Sequence, residues 1–334
     1  MRAFSGEEGE RTMDMERLGD KERYDMLAQM ADMYYNQGKT QSEIARHFGT
    51  NRFRVAKLIQ DAREQQIVEI RINYSNERNQ MLEEELKKAF GLKDAVVVNT
   101  RYSSYIDGLT QIGEVGAAYL ARLLASGGVL GVTWGKTLQS VISRLPGMHY
   151  SPVTVVQLTG YYQLNNPSAD TRELVRTAAA SSRGEYFYLD APMYVSDPAL
   201  KELLCKEPVI RQALSHTKKL DVVASGIGGD SSLPLKNPLV RPYITEADME
   251  KAHSCIGSLY GRVLDENGNE ADLSLNRRVV AGELSDILAA PSRIVVGCGR
   301  HKVRVLNQAA RSGWYNILVT DADTAVHMME NWEK

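Results

Sequence analysis

Arg46, Asn51, Arg52, Arg54, Lys57 and Arg63 give one short stretch of this chain the donor groups needed to hold a polyanion. Guanidinium and ammonium groups on phosphates fix register, while bidentate donors such as arginine and asparagine also read base edges. Residues 46 to 63 carry five basic side chains against one acid, Asp61, although the whole chain has a formal net charge of -2. The positive field is therefore local. A compact patch on a near-neutral body suits site-specific recognition of DNA better than a general coat, whose affinity comes mainly from phosphate neutralisation. The bland alternative is a solvated helix face.

A second set of polar residues lies in short, glycine-rich segments: Thr133-Trp134-Gly135-Lys136-Thr137, Thr159-Gly160, Gly226-Ile227-Gly228-Gly229 and Gly297-Cys298-Gly299-Arg300-His301-Lys302. Free amides at helix starts hold anions, and Lys136 and Lys302 would neutralise them. The expected ligand is an anion or a polyhydroxylated molecule. Equally, Gly226, Gly228, Gly297 and Gly299 could serve only tight turns. GVTWGKT resembles a nucleotide-binding P-loop, but Gly131 is one residue too close to Gly135 for that motif. Loop length sets how amides wrap a triphosphate, so an ATPase is disfavoured. Asp190, Asp265 and Asp321 read as caps, Arg278 as a ligand or interface residue, and Cys298 as a buried thiol. The histidines lack paired ligand spacing and the three cysteines lack CxxC spacing. No metal, cofactor or disulfide framework is implied.

The elements that position the first set are legible. Thr40 to Leu58, TQSEIARHFGTNRFRVAKL, fits a helix-turn-helix. Thr40 and Glu43 form a capping box, Ile44 and Ala45 face inward, and Gly49 suits the turn. Val55, Leu58, Ile59 and Ala62 recur at helical spacing, which turns Arg54 and Lys57 outward and places Asn51 and Arg52 at the amino end that reaches bases. Arg46 and Arg63 are placed for phosphates. Met26, Leu27, Met30 and Tyr34 recur ahead of the motif and should pack on it. Ile67 to Ile72 alternates as a strand, either a wing or a cap on the small domain.

At 334 residues the chain allows roughly two domains at ~100–200 residues each. Residues 1–19 read as a disordered extension, 20–75 as the helix-turn-helix domain and 76–334 as an effector and oligomerisation domain. No signal peptide or membrane-spanning run is evident, so a cytoplasmic protein with no membrane partner is expected. Asn76 to Phe90 reads as a linking helix stopped by Gly91. Five short apolar runs follow, at 128–132, 153–158, 221–224, 293–296 and 316–319, each leading through a small or glycine-rich turn into a helical pattern. Buried strands alternating with helices indicate an α/β domain with an open, mainly parallel sheet, which binds ligands beyond the strands' carboxyl ends.

Together YYNQGKTQSEIARHFG, GVTWGKTL, VVQLTG, GIGG, LNRR, VVGCGRHK and NILVTDADTA resemble the SorC family of bacterial transcriptional regulators, from about Tyr24 to Met329. The resemblance implies an effector domain related to sugar-phosphate isomerases and deaminases, a sugar or sugar-phosphate inducer, operator DNA as partner, and dimers that pair into tetramers. It also implies that Thr133, Gly135, Lys136, Thr137 and Lys302 grip a phosphate or sugar hydroxyls. Two departures stand out. Thr159 replaces a lysine or arginine that relatives use for a covalent or second-phosphate contact, and Ser258 replaces an acid that accepts sugar hydroxyls. Both point to a neutral sugar, a polyol or a monophosphate. The competing expectation is an enzyme of the isomerase or deaminase type with an accessory DNA-binding head, since that scaffold also hosts catalysis. No acid/base pair in the strand-end loops supports it.

Overall fold

The computed structural model describes residues 20–65, 67–68, 78–100, 105–148, 152–161 and 170–332. The expected extension at 1–19 and most of the 67–72 strand lie outside them. The chain divides into two compact units, Met1–Ser75 and Asn76–Lys334.

In the first unit α1 (Asp20–Tyr35), α2 (Gln41–His47) and α3 (Arg52–Glu64) close on one small core. Met26, Leu27, Met30, Ile44, Ala45, Val55, Leu58, Ile59 and Ala62 fill it, with Tyr34 packed at its edge. The capping box forms: the Glu43 amide donates to the Thr40 hydroxyl at 3.3 Å, and the Thr40 amide donates to the Glu43 carboxylate at 2.8 Å. Gly49 turns the chain between α2 and α3 with φ +60°, a conformation that glycine adopts without steric cost.

The second unit begins with a correction. The linking helix is α4 (Gln80–Phe90), not a helix from Asn76, because the Asn79 side chain caps it by accepting from the Leu82 amide. Arg78 instead pairs with Val98 in an isolated bridge. Then follow β1 (Asp94–Val98), α5 (Tyr105–Leu123), β2 (Gly128–Val132), α6 (Lys136–Ile142), β3 (Val153–Gln157), α7 (Thr171–Ser182), β4 (Tyr186–Phe187), α8 (Pro198–Lys206), α9 (Pro208–Thr217), β5 (Val222–Gly226), α10 (Glu246–Glu250), β6 (Cys255–Leu259), β7 (Arg262–Asp265), α11 (Ser274–Arg277), α12 (Leu284–Ala289), β8 (Ser292–Val296), α13 (Val303–Arg311), β9 (Ile317–Asp321) and α14 (Ala322–Glu330). No described helix is long and apolar enough to cross a membrane.

Seven strands form a parallel sheet in the order β1-β9-β8-β5-β2-β3-β4. The five apolar runs are β2, β3, β5, β8 and β9; β1 and the two-residue β4 were not anticipated as strands. Alternation along each strand divides the core between the two faces. Val97, Val223, Val295 and Leu318 enter one cluster with Leu86, Leu306 and Met328 of the covering helices. Val96, Val98, Val222, Val296 and Val319 enter the other, with Leu120, Leu138 and Leu174. Burial on both faces is why the strands read as continuous apolar runs.

The strand order reverses between β2 and β5. From β2 the chain builds outward through β3 to β4; from β5 it builds the opposite way through β8 to β9. Neighbouring connections therefore leave the sheet in opposite directions at this point, which opens a crevice at the carboxyl ends of β2 and β5. Over it folds the antiparallel hairpin β6-β7. Its two-residue turn, Tyr260-Gly261, has φ +52° and +81°, the left-handed pair that suits strand twist in a tight hairpin.

Candidate functional site

The crevice is a cavity of about 360 Å³ lined by Thr133 to Thr137, Ser225 to Gly228, Ser231, Ser232, Ser258, His301 and Lys302, with Met193, Tyr194, Pro234, Leu259 and Tyr260 as its apolar wall. That volume suits a small-molecule ligand. Three elements of different sequence origin meet here through backbone. The Gly228 and Ser258 amides donate to each other's carbonyls at 3.0 and 2.9 Å, which holds β6 over the β5 loop. A Cβ at Gly226 would lie 2.9 Å from the Trp134 carbonyl oxygen, and one at Gly228 would lie 2.8 Å from the Ser258 hydroxyl. Close approach to backbone fixes Gly226, whereas at Gly228 the nearest atoms are serine hydroxyls that can turn aside.

Gly226→Ala should therefore separate the β2 and β5 loops, at a cost of about 1–3 kcal/mol for overpacking against backbone. We expect a lowered melting temperature and a weakened effector response. Wild-type values in thermal unfolding and ligand titration would contradict the close-approach role.

Of the sequence-predicted effector residues, the cavity brings together Thr133, Gly135, Lys136, Thr137, Gly226, Gly228, Ser258 and Lys302. It does not include Thr159 or Gly160. Thr159 is fully buried, in a bridge with Ala281. The Gly160 amide donates to the Val280 carbonyl at 2.8 Å, and a Cβ there would lie 2.5 Å from the Ala191 oxygen. The returning segment around Val280 and Ala281 covers the end of β3, which excludes both residues from the lining. Thr133 is itself buried, its hydroxyl 2.7 Å from that of Ser225, which donates on to the Gly226 carbonyl at 2.7 Å. Thr133 thus ties the two loops together. The hydroxyls of Thr137 and Ser258 have no hydrogen-bond partner among the described residues.

The cavity's electrostatics are one-sided. Lys136 is exposed and Lys302 half-buried, and neither has an ion pair among the described residues. No described carboxylate lines the space. Burial lowers the Lys302 ammonium below its ordinary range, only partly opposed by Cys298. Burial, and then the charge of Lys302, lower His301 as well. A partly desolvated cation facing a cavity without a described counter-ion favours an anion there. Gly135, at φ +130°, precedes α6, whose first amides receive no side-chain cap.

Other expectations resolve locally. Asp321 caps α14, accepting from the Thr324 amide, and Asp265 holds a turn through the Asn267 and Asn269 amides. Asp190 is not a cap; it pairs with Arg172 at 2.7 Å. Arg278 does not line the cavity. It is buried, donating to the Val195, Ser196 and Ser274 carbonyls, 3.7 Å from Asp248. Cys298 is buried and its thiol pushed up to about 11, first by burial and then by Asp321. Among the described residues no cluster of His, Cys, Asp or Glu could hold a metal ion. Met193, Tyr194, Ser231, Ser232, Pro234 and Tyr260 went unread in the sequence; only the Ser231-Ser232 pair, just past Gly228-Gly229, carried a local signal.

In the first unit Arg46, Asn51, Arg52, Arg54, Lys57 and Arg63 are all exposed. Asn51 and Arg52 are among those with prior engagements. Asn51 caps α3, accepting from the Arg54 amide at 2.9 Å, and the Arg52 guanidinium lies 4.8 Å above the Phe53 ring.

Residues 74–330 match the sugar-binding domain family known as Sugar-bind. The sorbitol operon regulator of Klebsiella pneumoniae is 30% identical, over 90% of this chain and 96% of its own length. The chain belongs to the SorC family. The crystal structure of full-length SorC from Klebsiella pneumoniae superposes with a TM-score of 0.70 at 28% identity, covering 94% of this chain and all (100%) of that one. The deoxyribonucleoside regulator of Bacillus subtilis (strain 168) is 27% identical over 92% of this chain and 97% of its own length. This SorC-family protein is thus a sugar-responsive transcriptional regulator, with a helix-turn-helix unit and a parallel-sheet sugar-binding unit.

Proposed function

We propose that the protein controls a carbohydrate-utilisation operon by binding operator DNA through α3, and that its effector is a sugar or polyol monophosphate held in the β2/β5 cavity. The observation that carries the choice of a phosphorylated effector is the pair of lysines, Lys136 and Lys302, facing a space without a described carboxylate. Thr137 and Ser258 would accept or donate to sugar hydroxyls, and the Tyr194–Tyr260 wall would pack on the carbon chain. Arg54 and Lys57 would reach bases, Arg46 and Arg63 phosphates. Effector and operator affinities are then linked reciprocally, whichever direction the switch takes.

The protein would act in the cytoplasm as a homo-oligomer, a dimer of dimers, because one head offers too few phosphate contacts for tight binding. A binding role rather than catalysis is supported by the lining. Aldose–ketose isomerisation is served by a carboxylate base beside the carbonyl carbon, and no described carboxylate lines the cavity, where His301 is the one imidazole among the described lining residues.

A thermal-shift panel of ketoses, polyols, their monophosphates and nucleotides tests the effector. A specific ligand at about 100-fold its Kd should stabilise the protein by about 2.7 kcal/mol. We expect monophosphates to stabilise it and their parent sugars to do so far less. A hit list confined to neutral sugars or to nucleotides would refute the phosphate reading.

A further inference from the structure

The recognition helix carries an aromatic ring that the core does not use. Phe53, at the second position of α3, is 73% exposed, although α3 buries Val55, Leu58, Ile59 and Ala62 on its other side. One helical turn on from Phe53 is Lys57, so ring and ammonium share a face, with Arg54 beside them; all three are exposed. The ring is also held. Arg52 stacks over it at 4.8 Å, which restricts both side chains and keeps the guanidinium beside the ring's apolar surface. Exposure of a phenylalanine ring to water is unfavourable in the free protein, and nothing in the packing of α1, α2 and α3 requires an aromatic there.

We propose that Phe53 is a specificity-determining residue that packs on a thymine C5-methyl group in the major groove. In that groove the methyl is the one apolar mark distinguishing thymine from the other bases, and an apolar side chain at the amino end of a recognition helix reads it. Arg52 and Lys57 flank the ring with charges suited to neighbouring phosphates or guanine edges. A ring held by Arg52, with Lys57 on the same face, is thereby delivered to the base edge in a fixed register.

The inference rests on DNA binding through α3, and the experiment separates the two. The full chain is used to select binding sites from a random duplex pool, and each thymine of the selected site is then replaced by deoxyuridine, which lacks only the methyl. For the wild type, one thymine per half-site should prove sensitive, with binding about fourfold weaker on its replacement, the value of one buried methyl-sized group. Phe53→Ala should bind the thymine site more weakly and lose sensitivity to deoxyuridine at that position alone. Phe53→Leu should keep part of it. Thermal unfolding should be unchanged in both variants, because the ring lies outside the core. If no sequence is enriched, the DNA-binding reading itself fails. If a site is enriched but Phe53→Ala retains the wild-type deoxyuridine profile, Phe53 does not read thymine and the proposal is overturned. A change in oligomeric state with unaltered base preference would overturn it too, in favour of a contact between heads.

Discussion

Lys302→Met is expected to abolish the effector response while leaving operator affinity unchanged. The Lys302 ammonium is half-buried and without an ion pair among the described residues, and burial already lowers its pKa. A bound phosphate would supply the missing counter-charge where partial burial limits screening. Removing one partner of a buried, hydrogen-bonded charge pair costs about 2–5 kcal/mol, or roughly 30-fold to several thousand-fold in Kd. The exposed Lys136 should matter less. Without ligand the sign reverses, because methionine removes a desolvation penalty, so the variant should melt at a higher temperature than wild type. The pH dependence follows from the direction of the shift. As pH rises, the folded chain gives up the Lys302 proton before the unfolded chain does, so the unfolded chain binds more protons between the two pKa values and wild-type stability gains relative to the variant. The penalty is complete below the folded pKa and disappears as pH approaches the ordinary lysine value of 10.5. Ligand titrations by thermal shift, with operator binding followed by fluorescence anisotropy, check each part. A normal effector response in Lys302→Met would remove the lysine from the site.

An Arg54→Ala, Lys57→Ala double substitution should nearly eliminate specific operator binding. Both residues are exposed on α3, opposite its buried stripe, so the fold of the first unit should survive. A base contact is worth about 1–3 kcal/mol per head, and an oligomer that uses several heads multiplies the loss. Salt titration tells what each residue touches. Loss of a phosphate contact lowers the slope of log affinity against log salt by about 0.9, whereas loss of a base contact leaves the slope and relaxes the sequence preference. Unchanged operator affinity in the double variant would remove α3 from the recognition role.

Much of both regions is local and was therefore readable. The capping box of Thr40 and Glu43, the turn at Gly49 and the spacing of Val55, Leu58 and Ala62 each depend on neighbours within a few residues. Asn51 shows where local reading stops. Its position at the start of α3 fits base contact, but the same carboxamide oxygen caps the helix, and one side chain does not fill both roles at full strength. Strand β1 was missed because Val96 to Val98 is too short to separate by periodicity from a helix end, and its pairing with β9 joins opposite ends of the unit. The hairpin β6-β7 is hidden for a related reason: Gly257 interrupts the apolar pattern of its first strand, and it is required there by a contact far away in the chain, where a Cβ would be 2.4 Å from the Gly228 oxygen.

By itself the sequence determined a basic helix-turn-helix, a parallel α/β unit and the strand-end loops with their lysines, because caps, periodicity and glycine-rich turns are set by residues near in the chain. Only the tertiary structure decided which loops share a cavity. Thr133 and Ser225 meet because β2 and β5 are neighbours at the reversal of strand order. Thr159, at the end of the next strand, is sealed by the segment at Ala281. Strand order depends on the pairing of segments far apart in the chain, and no local pattern encodes it. Burial and the absence of a described carboxylate around Lys302 follow from that same order, and they leave a partly desolvated cation in the cavity wall.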